Sequence, residues 1–464
     1  MTHLNKFFTT LALLCQFSLL GFAEKPNFVI IFTDDQGYND LSCFGSKTIK
    51  TPHIDGMAAE GMKLTSFYVA SPVCSPSRAA LLTGCYPKRI DMEQHVLFPQ
   101  SKKGMNPEEE TIADYLKSSG YKTAAVGKWH LGHQKQFLPT RQGFDSYYGI
   151  PYSNDMSHPD NKDKPKGKGN VKWSNSWADP SMKDVVWNTP LFQNEEVLEM
   201  PCDQRTITKR YTDKAIDFIK QNKKDPFFLY LTHSMPHLPL YVPDEIYDAD
   251  ETQAYRLVIE HIDQQVGRVI KTLKEEGLSK NTVVIFTSDN GPWLQFKHFG
   301  GSALPLRSGK GTTFEGGQRV PCVIWAPGYI KGGQTKDEIM STIDILPTIA
   351  GIVGDKLKSG KSIDGVNQKD FLFSDAPSAR DSMMYYSSRG SIEGFRKGDY
   401  KYFQPLKKNK AQLYNLKEDI SESNNLATKY PEKVKELDQV MKSLDAEITK
   451  SKRAAGYVEG YTTK

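Results

Sequence analysis

Four short runs, Asn27 to Thr33 (NFVIIFT), Phe227 to Thr232 (FFLYLT), Thr282 to Ser288 (TVVIFTS) and Pro321 to Ala326 (PCVIWA), are almost wholly apolar. A strand with one wet face alternates polar and apolar residues, so a short unbroken apolar run points to a strand covered on both faces. The segments between them supply covering helices. Leu257, Ile262, Val266, Val269, Ile270 and Leu273 recur at helical spacing, and Pro107-Glu108-Glu109-Glu110 reads as the acidic first turn of a helix that Gly120 ends. This alternation predicts an α/β fold with a large, mainly parallel sheet flanked by helices. Ligands of such sheets gather beyond the carboxyl ends of the strands, which directs attention to Asp34-Asp35 and Asp289-Asn290, each placed directly after an apolar run.

From about Ser362 the texture changes to short strands, Ser382 to Ser387 and Tyr400 to Phe403, and an amphipathic helix from Pro431 to about Lys450. The expected organisation is a large domain over 24–361 and a smaller α+β domain of antiparallel strands and a helix over 362–464. Asp160 to Asn170 is polar and lysine-rich, a surface loop by composition. Trp173, Trp177 and Trp187 follow, and two readings of them stand open: faces for stacking on sugar rings, or a satellite core under a long insertion.

The 60 Lys+Arg against 55 Asp+Glu leave a net charge of +5, too mild for a bulk electrostatic footprint on nucleic acid. Met1 to Ala23 carries Lys6, an apolar stretch from Leu11 to Leu20 and a Gly21-Phe22-Ala23 end, the pattern of a signal peptide cleaved after Ala23. Its apolar run falls short of the roughly 18 to 20 residues of a membrane span. The expectation is an exported protein, periplasmic or extracellular, without stable membrane insertion. Cys43, Cys74, Cys85, Cys202 and Cys322 remain after cleavage, an odd set with no zinc-site spacing and no pairing that sequence can choose.

Asp34, Asp35, Asp289 and Asn290 together would make a hard, anionic oxygen nest of the kind that Ca²⁺ or Mg²⁺ selects. Cys74-Ser75-Pro76-Ser77-Arg78 then sets a cysteine four residues before an arginine, ahead of a helix-compatible run ending at Thr83-Gly84. The two can share the first turn of a helix, where backbone N–H groups favour an anion.

The segment Cys74 to Gly84 resembles the C-x-P-S-R-x-x-x-x-T-G signature of the formylglycine-dependent sulfatases, in the alkaline-phosphatase superfamily. The resemblance extends, in the family's order, through Asp34-Asp35-Gln36-Gly37, Gly127-Lys128-Trp129-His130, Pro236-His237-Leu238-Pro239, Asp289-Asn290-Gly291 and Pro305 to Gly317. It continues in the tail, at Phe395-Arg396-Lys397-Gly398-Asp399-Tyr400-Lys401 and Gln412 to Leu416. What the resemblance implies is a sulfuric ester hydrolase in which Cys74 is converted to formylglycine by a maturation enzyme. Its gem-diol would attack sulfur to give a covalent sulfo-enzyme. Asp34, Asp35, Asp289 and Asn290 would hold one Ca²⁺ with residue 74. Arg78 would steady the formylglycine, Lys128, Lys310 and His237 the sulfate, with His237 or Lys310 protonating the leaving alcohol and His130 regenerating the aldehyde. His133, His233, His298 and Arg307 stand as candidate substrate contacts. A sulfated poly- or oligosaccharide is the expected substrate. Phosphodiester or phosphonate hydrolysis, and sulfated-glycan binding by a chain with unmodified Cys74, are the competing readings.

Overall fold

The computed structural model describes residues 25–157, 188–405 and 410–460. The signal-peptide expectation, the lysine-rich loop and Trp173, Trp177 and Trp187 lie outside the described residues.

A ten-stranded sheet runs through the large body in the order Gln334–Lys336, Met62–Leu64, Cys322–Trp325, Thr282–Ser288, Asn27–Thr33, Phe227–Thr232, Lys122–Gly127, Ser146–Gly149, Leu191–Gln193 and Glu196–Glu199. The five strands from Thr282–Ser288 to Ser146–Gly149 are mutually parallel. The sheet is mixed towards both edges: Cys322–Trp325, expected within a mainly parallel arrangement, pairs antiparallel with Thr282–Ser288.

The apolar runs are continuous because each central strand feeds two cores. Phe28, Ile30 and Phe32 pack with the helices Cys74–Thr83, Ile112–Ser118 and Ile345–Val353. Val29 and Ile31 face the opposite layer, with Gln204–Gln221, Ala254–Glu275 and Pro52–Glu60. The helix expected from Pro107 starts later, at Ile112, with Thr111 as N-cap. Its cap is reciprocal: Thr111 Oγ1 accepts from Asp114 N–H at 3.1 Å while Asp114 Oδ2 accepts from Thr111 N–H at 3.1 Å.

A four-stranded antiparallel sheet, Ser382–Tyr386, Ile392–Lys397, Tyr400–Phe403 and Gln412–Asn415, forms a second, smaller layer. The Pro431–Lys450 helix covers it through Leu437, Met441 and Ile448. Tyr68, Ala70 and Ala80 of the large body join the same core, so the small sheet is packed directly beside the Cys74–Thr83 helix.

Candidate active site

Strand register assembles the site. Thr33 lies opposite Ser288, so the residues that follow each strand, Asp34-Asp35 and Asp289-Asn290, emerge side by side. Asp35 N–H donates to Asp289 Oδ1 at 3.1 Å, and Asn290 Nδ2 donates to Asp35 Oδ1 at 2.7 Å. These contacts hold Asp35 at φ 64°, a left-handed conformation that costs a non-glycine residue about 1 kcal/mol.

The Cys74–Thr83 helix begins at these tips. Cys74 is its first residue, with Sγ 3.5 Å from Asp34 Oδ1. One turn later Arg78, fully buried, donates from Nε and Nη2 to Asp289 Oδ2 at 3.0 and 2.7 Å and from Nη1 to the Lys128 carbonyl at 3.1 Å. Lys128 arrives through a close backbone approach. Its predecessor Gly127 has φ 114°, and a Cβ there would stand 1.8 Å from the Thr232 carbonyl oxygen, which only glycine avoids. Lys128 Nζ donates to Asp34 Oδ2 and, at 3.2 Å, to Ser153 Oγ. Lys310 Nζ donates to Asp35 Oδ2 at 2.7 Å and lies 4.1 Å from the centre of the Trp293 ring.

The two histidines have readable proton positions, because a carbonyl oxygen only accepts. His130 Nε2 is 3.0 Å from the Leu97 carbonyl and carries the proton, leaving a buried, unpartnered Nδ1 as the lone pair. His237 Nδ1 donates to the Leu238 carbonyl at 2.6 Å, and its Nε2 faces Ser153 Oγ at 3.4 Å and Asp35 Oδ2 at 3.7 Å.

Burial sets the proton affinities. It holds His130 well below the ordinary imidazole value, helped by the Lys128 and Arg78 charges, and lowers His237, helped by Lys310. Burial pushes the Cys74 thiol well up despite Lys128 and Lys310, so the unmodified sulfur is protonated at neutral pH and a poor nucleophile. Asp34 is held well below the carboxylate range: burial opposes this, but the charges of Lys128, Arg78 and Lys310 outweigh it. Burial and then the Asp34 charge push Asp289 up to about 7. Burial lowers the proton affinity of Lys310, but the Asp35 charge outweighs this and holds it above the ordinary lysine value.

The donor set fits a hard divalent cation. Three buried carboxylates converge, Asp289 is reluctant to ionise beside Asp34 without a further positive charge, and Asn290 Oδ1 is a buried acceptor with no partner. Asp34, Asp35, Cys74 and His237 bring ligand atoms within 4.8 Å of one another, with Asp289 and Asn290 bonded to Asp35 beside them. Chemically, an anion at this nest would meet fixed cations, one neutral base and one charged donor.

The remaining sequence candidates are dispersed. His133 is half-buried, against Tyr152 with ring centres 6.0 Å apart. His233 is sealed in the core and unexposed. His298 is exposed, 3.7 Å from Glu251. Arg307 turns to the small sheet, donating to the Glu422 carbonyl at 2.9 Å and lying 4.1 Å over the Phe314 ring. Two residues at the site had escaped sequence reasoning, Ser153 and Trp293. Trp293 stands three residues after Asn290, which was its only signal, and its half-buried ring lies 5.4 Å from that of His237.

A parallel sheet whose central tips carry this nest, flanked by helices and a small antiparallel sheet, is the alkaline-phosphatase-like architecture. The sulfatase family model matches residues 26–355. Arylsulfatase G of Rattus norvegicus is 33% identical over 457 residues, 91% of this chain and 86% of that protein. N-acetylgalactosamine-6-sulfatase of the same species is 38% identical over 357 residues, 75% of this chain and 66% of that one. The crystal structure of Ps i-CgsB in complex with k-i-k-neocarrahexaose superposes with a TM-score of 0.78 at 30% identity, covering 93% of this chain and 94% of the other. The chain belongs to the sulfatase family and is a sulfuric ester hydrolase.

Proposed function

We propose that this enzyme releases sulfate from a sulfated poly- or oligosaccharide, with Cys74 matured to formylglycine and one Ca²⁺ held by Asp34, Asp35, Asp289 and Asn290. The observation that carries the reading is the shared placement of Cys74, three carboxylates and the cations Arg78, Lys128 and Lys310 at adjoining strand and helix ends. As an aldehyde hydrate, residue 74 supplies two hydroxyls on one carbon, one to bond to sulfur and one whose deprotonation expels sulfate again. A Ca²⁺ held by Asp34, Asp35, Asp289 and Asn290 would supply positive charge to the anionic ester.

The chain's own residues do the rest. Lys128 and Lys310 neutralise the ester's charge at fixed positions, and Arg78 holds Asp289 against the helix start. His130, neutral and with Nδ1 free to accept, is the base that takes the second hydroxyl's proton. For the leaving alcohol, the proton states favour Lys310, kept charged by Asp35, over His237, whose Nε2 is a lone pair. The Lys128–Ser153–His237 chain of contacts then orients the sulfate pocket.

A carbohydrate substrate is supported by the Trp293 ring beside Lys310, a flat face for a pyranose, and by the hexasaccharide named with Ps i-CgsB. The proposal includes export after cleavage behind Ala23, the division at 361/362 and a formylglycine-generating partner. No helix among the described residues is long and apolar enough to cross a membrane.

The test is the mass of the peptide carrying Cys74 from protein taken from its exported fraction, paired with sulfate release from sulfated oligosaccharides and aryl sulfates. Conversion of the thiol to the aldehyde with glycan desulfation is the expected result. An intact thiol in an active enzyme removes the formylglycine mechanism. Turnover of aryl or steroid esters alone removes the carbohydrate, and preference for phosphonate esters would shift the reaction class.

A further inference from the structure

The tail motif around Lys401 has no role in the chemistry above, yet its strand, Tyr400–Phe403, is bonded to the loop that carries Lys310. Lys401 is unexposed, and its Nζ donates to the Thr313 carbonyl at 2.8 Å and to Glu315 Oε1 at 3.0 Å. It also pairs with Glu422 Oε1 at 2.8 Å. Glu422 Oε2 accepts from the Glu315 N–H at 2.8 Å, and its carbonyl accepts from Arg307 at 2.9 Å. Glu422 is itself unexposed and sits at φ 52°, a left-handed conformation that persists in a glutamate only when its surroundings over-determine it. Glu315 is completed by Tyr385 Oη at 2.7 Å and Tyr68 Oη at 2.5 Å.

These bonds grip residues 307, 313 and 315, on both sides of Lys310. At the near end the backbone of the same loop is tied by Lys310 N–H to the Pro292 carbonyl and Gly311 N–H to the Pro72 carbonyl, both at 2.9 Å, and the Lys310 ammonium by Asp35 Oδ2 at 2.7 Å. Three groups costly to bury, the Glu315 and Glu422 carboxylates and the Lys401 ammonium, are thus sealed from solvent. A hydrophobic cluster would join the two sheets at least as stably, so stability alone is a weak reason for them.

We infer that Lys401 and Glu422 are positioning residues for Lys310: the small sheet reaches across and locks the 307–315 loop so that the Lys310 ammonium stays over the sulfate pocket. This rests on the sulfatase reading, in which Lys310 touches the ester. The small sheet is then part of the catalytic apparatus without contributing a catalytic residue.

A double-mutant cycle on the full, matured enzyme tests it. Glu422→Gln keeps the shape and an acceptor for the Glu315 N–H while removing the charge opposite Lys401. Lys401→Met removes the grip on Thr313 and is the stronger but more disruptive change. Either is expected to lower kcat/KM about 10²-fold, the usual cost of a displacement near 1 Å. In a Lys310→Ala background the same change should cost less than about twofold, because residues acting as a unit are not additive. Binding of inorganic sulfate, measured by calorimetry, is a second readout that needs no turnover, and it should weaken with Glu422→Gln only when Lys310 is present. Equal losses in both backgrounds, or no loss with Glu422→Gln, would overturn the inference. A wild-type enzyme that releases no sulfate would instead overturn the reading beneath it. If Lys401→Met does not fold, Glu422→Gln carries the cycle alone.

Discussion

Cys74 and Asp289 belong to one nest and answer to different forces. Cys74 is a small buried group whose Sγ makes one hydrogen bond among the described residues, to Asp34 Oδ1 at 3.5 Å, so Cys74→Ala should abolish sulfate release while leaving the urea unfolding midpoint nearly unchanged. Asp289 accepts both arms of the unexposed Arg78 guanidinium, and its removal strands that charge. Asp289→Ala should therefore lose activity and bound metal together and destabilise the fold by about 3 kcal/mol, the cost of breaking a buried pair from one side. Metal analysis and denaturant melts separate the two variants. Equal stability of both would mean that Arg78 finds another partner. The types of these residues were legible in sequence, since a strand-end acid pair and the Cys-to-Arg spacing are local patterns. Their pairing was not: nothing local says that Lys128 meets Asp34 while Lys310 meets Asp35.

The Ile112–Ser118 helix shows at the level of one element how a plausible signal is redirected. Glu108, Glu109 and Glu110 have the composition of a first turn, yet Glu109 is buried and takes a bidentate contact from Arg453 at 2.7 and 2.8 Å. Glu110 accepts from the Lys358 and Ser359 N–H groups at 3.0 and 2.8 Å. Distant partners outbid the helix dipole, and the start moves to the Thr111–Asp114 box. Thr111→Val, which keeps the shape and removes the acceptor, should cost about 1 kcal/mol in a denaturant melt with sulfate release unaffected. An unchanged melt would return the helix start to the glutamates. The Cys322–Trp325 strand forms where its apolar run lies, but its antiparallel pairing was not legible: a strand buried on both faces has no polar stripe, and its pattern reads alike in either direction.

For the molecule as a whole, buried neutral histidines tie stability to pH. Burial lowers His233 to about 3 and His261 to about 4, against an unfolded value of about 6.5. These folded-state values are depressed, so between them and about pH 6.5 the unfolded chain binds more protons. Their contribution is complete above about pH 6.5 and is lost as pH falls towards 3 to 4, by up to about 1.4 kcal/mol per pH unit for each group. Urea melts at pH 7.5, 6 and 5 should show stability falling with acidity, and His233→Leu should flatten that slope. An equal slope in the variant would exclude His233 as a source.

Sequence alone determined what each local stretch is made for. Apolar runs without alternation demanded a sheet covered twice, and the residues after them, with the Cys74 to Gly84 signature, named the chemistry available at its edge. Those are properties of a few consecutive residues. Tertiary structure decided everything that depends on distance across the chain: the strand directions at the sheet edges, the cation opposite each carboxylate, the tautomers of His130 and His237, and the bond from Arg307 to the Glu422 carbonyl. The reason is that register and burial are set jointly by both cores, so a contact such as Asp35 with Asp289 exists only once the strands carrying them lie level.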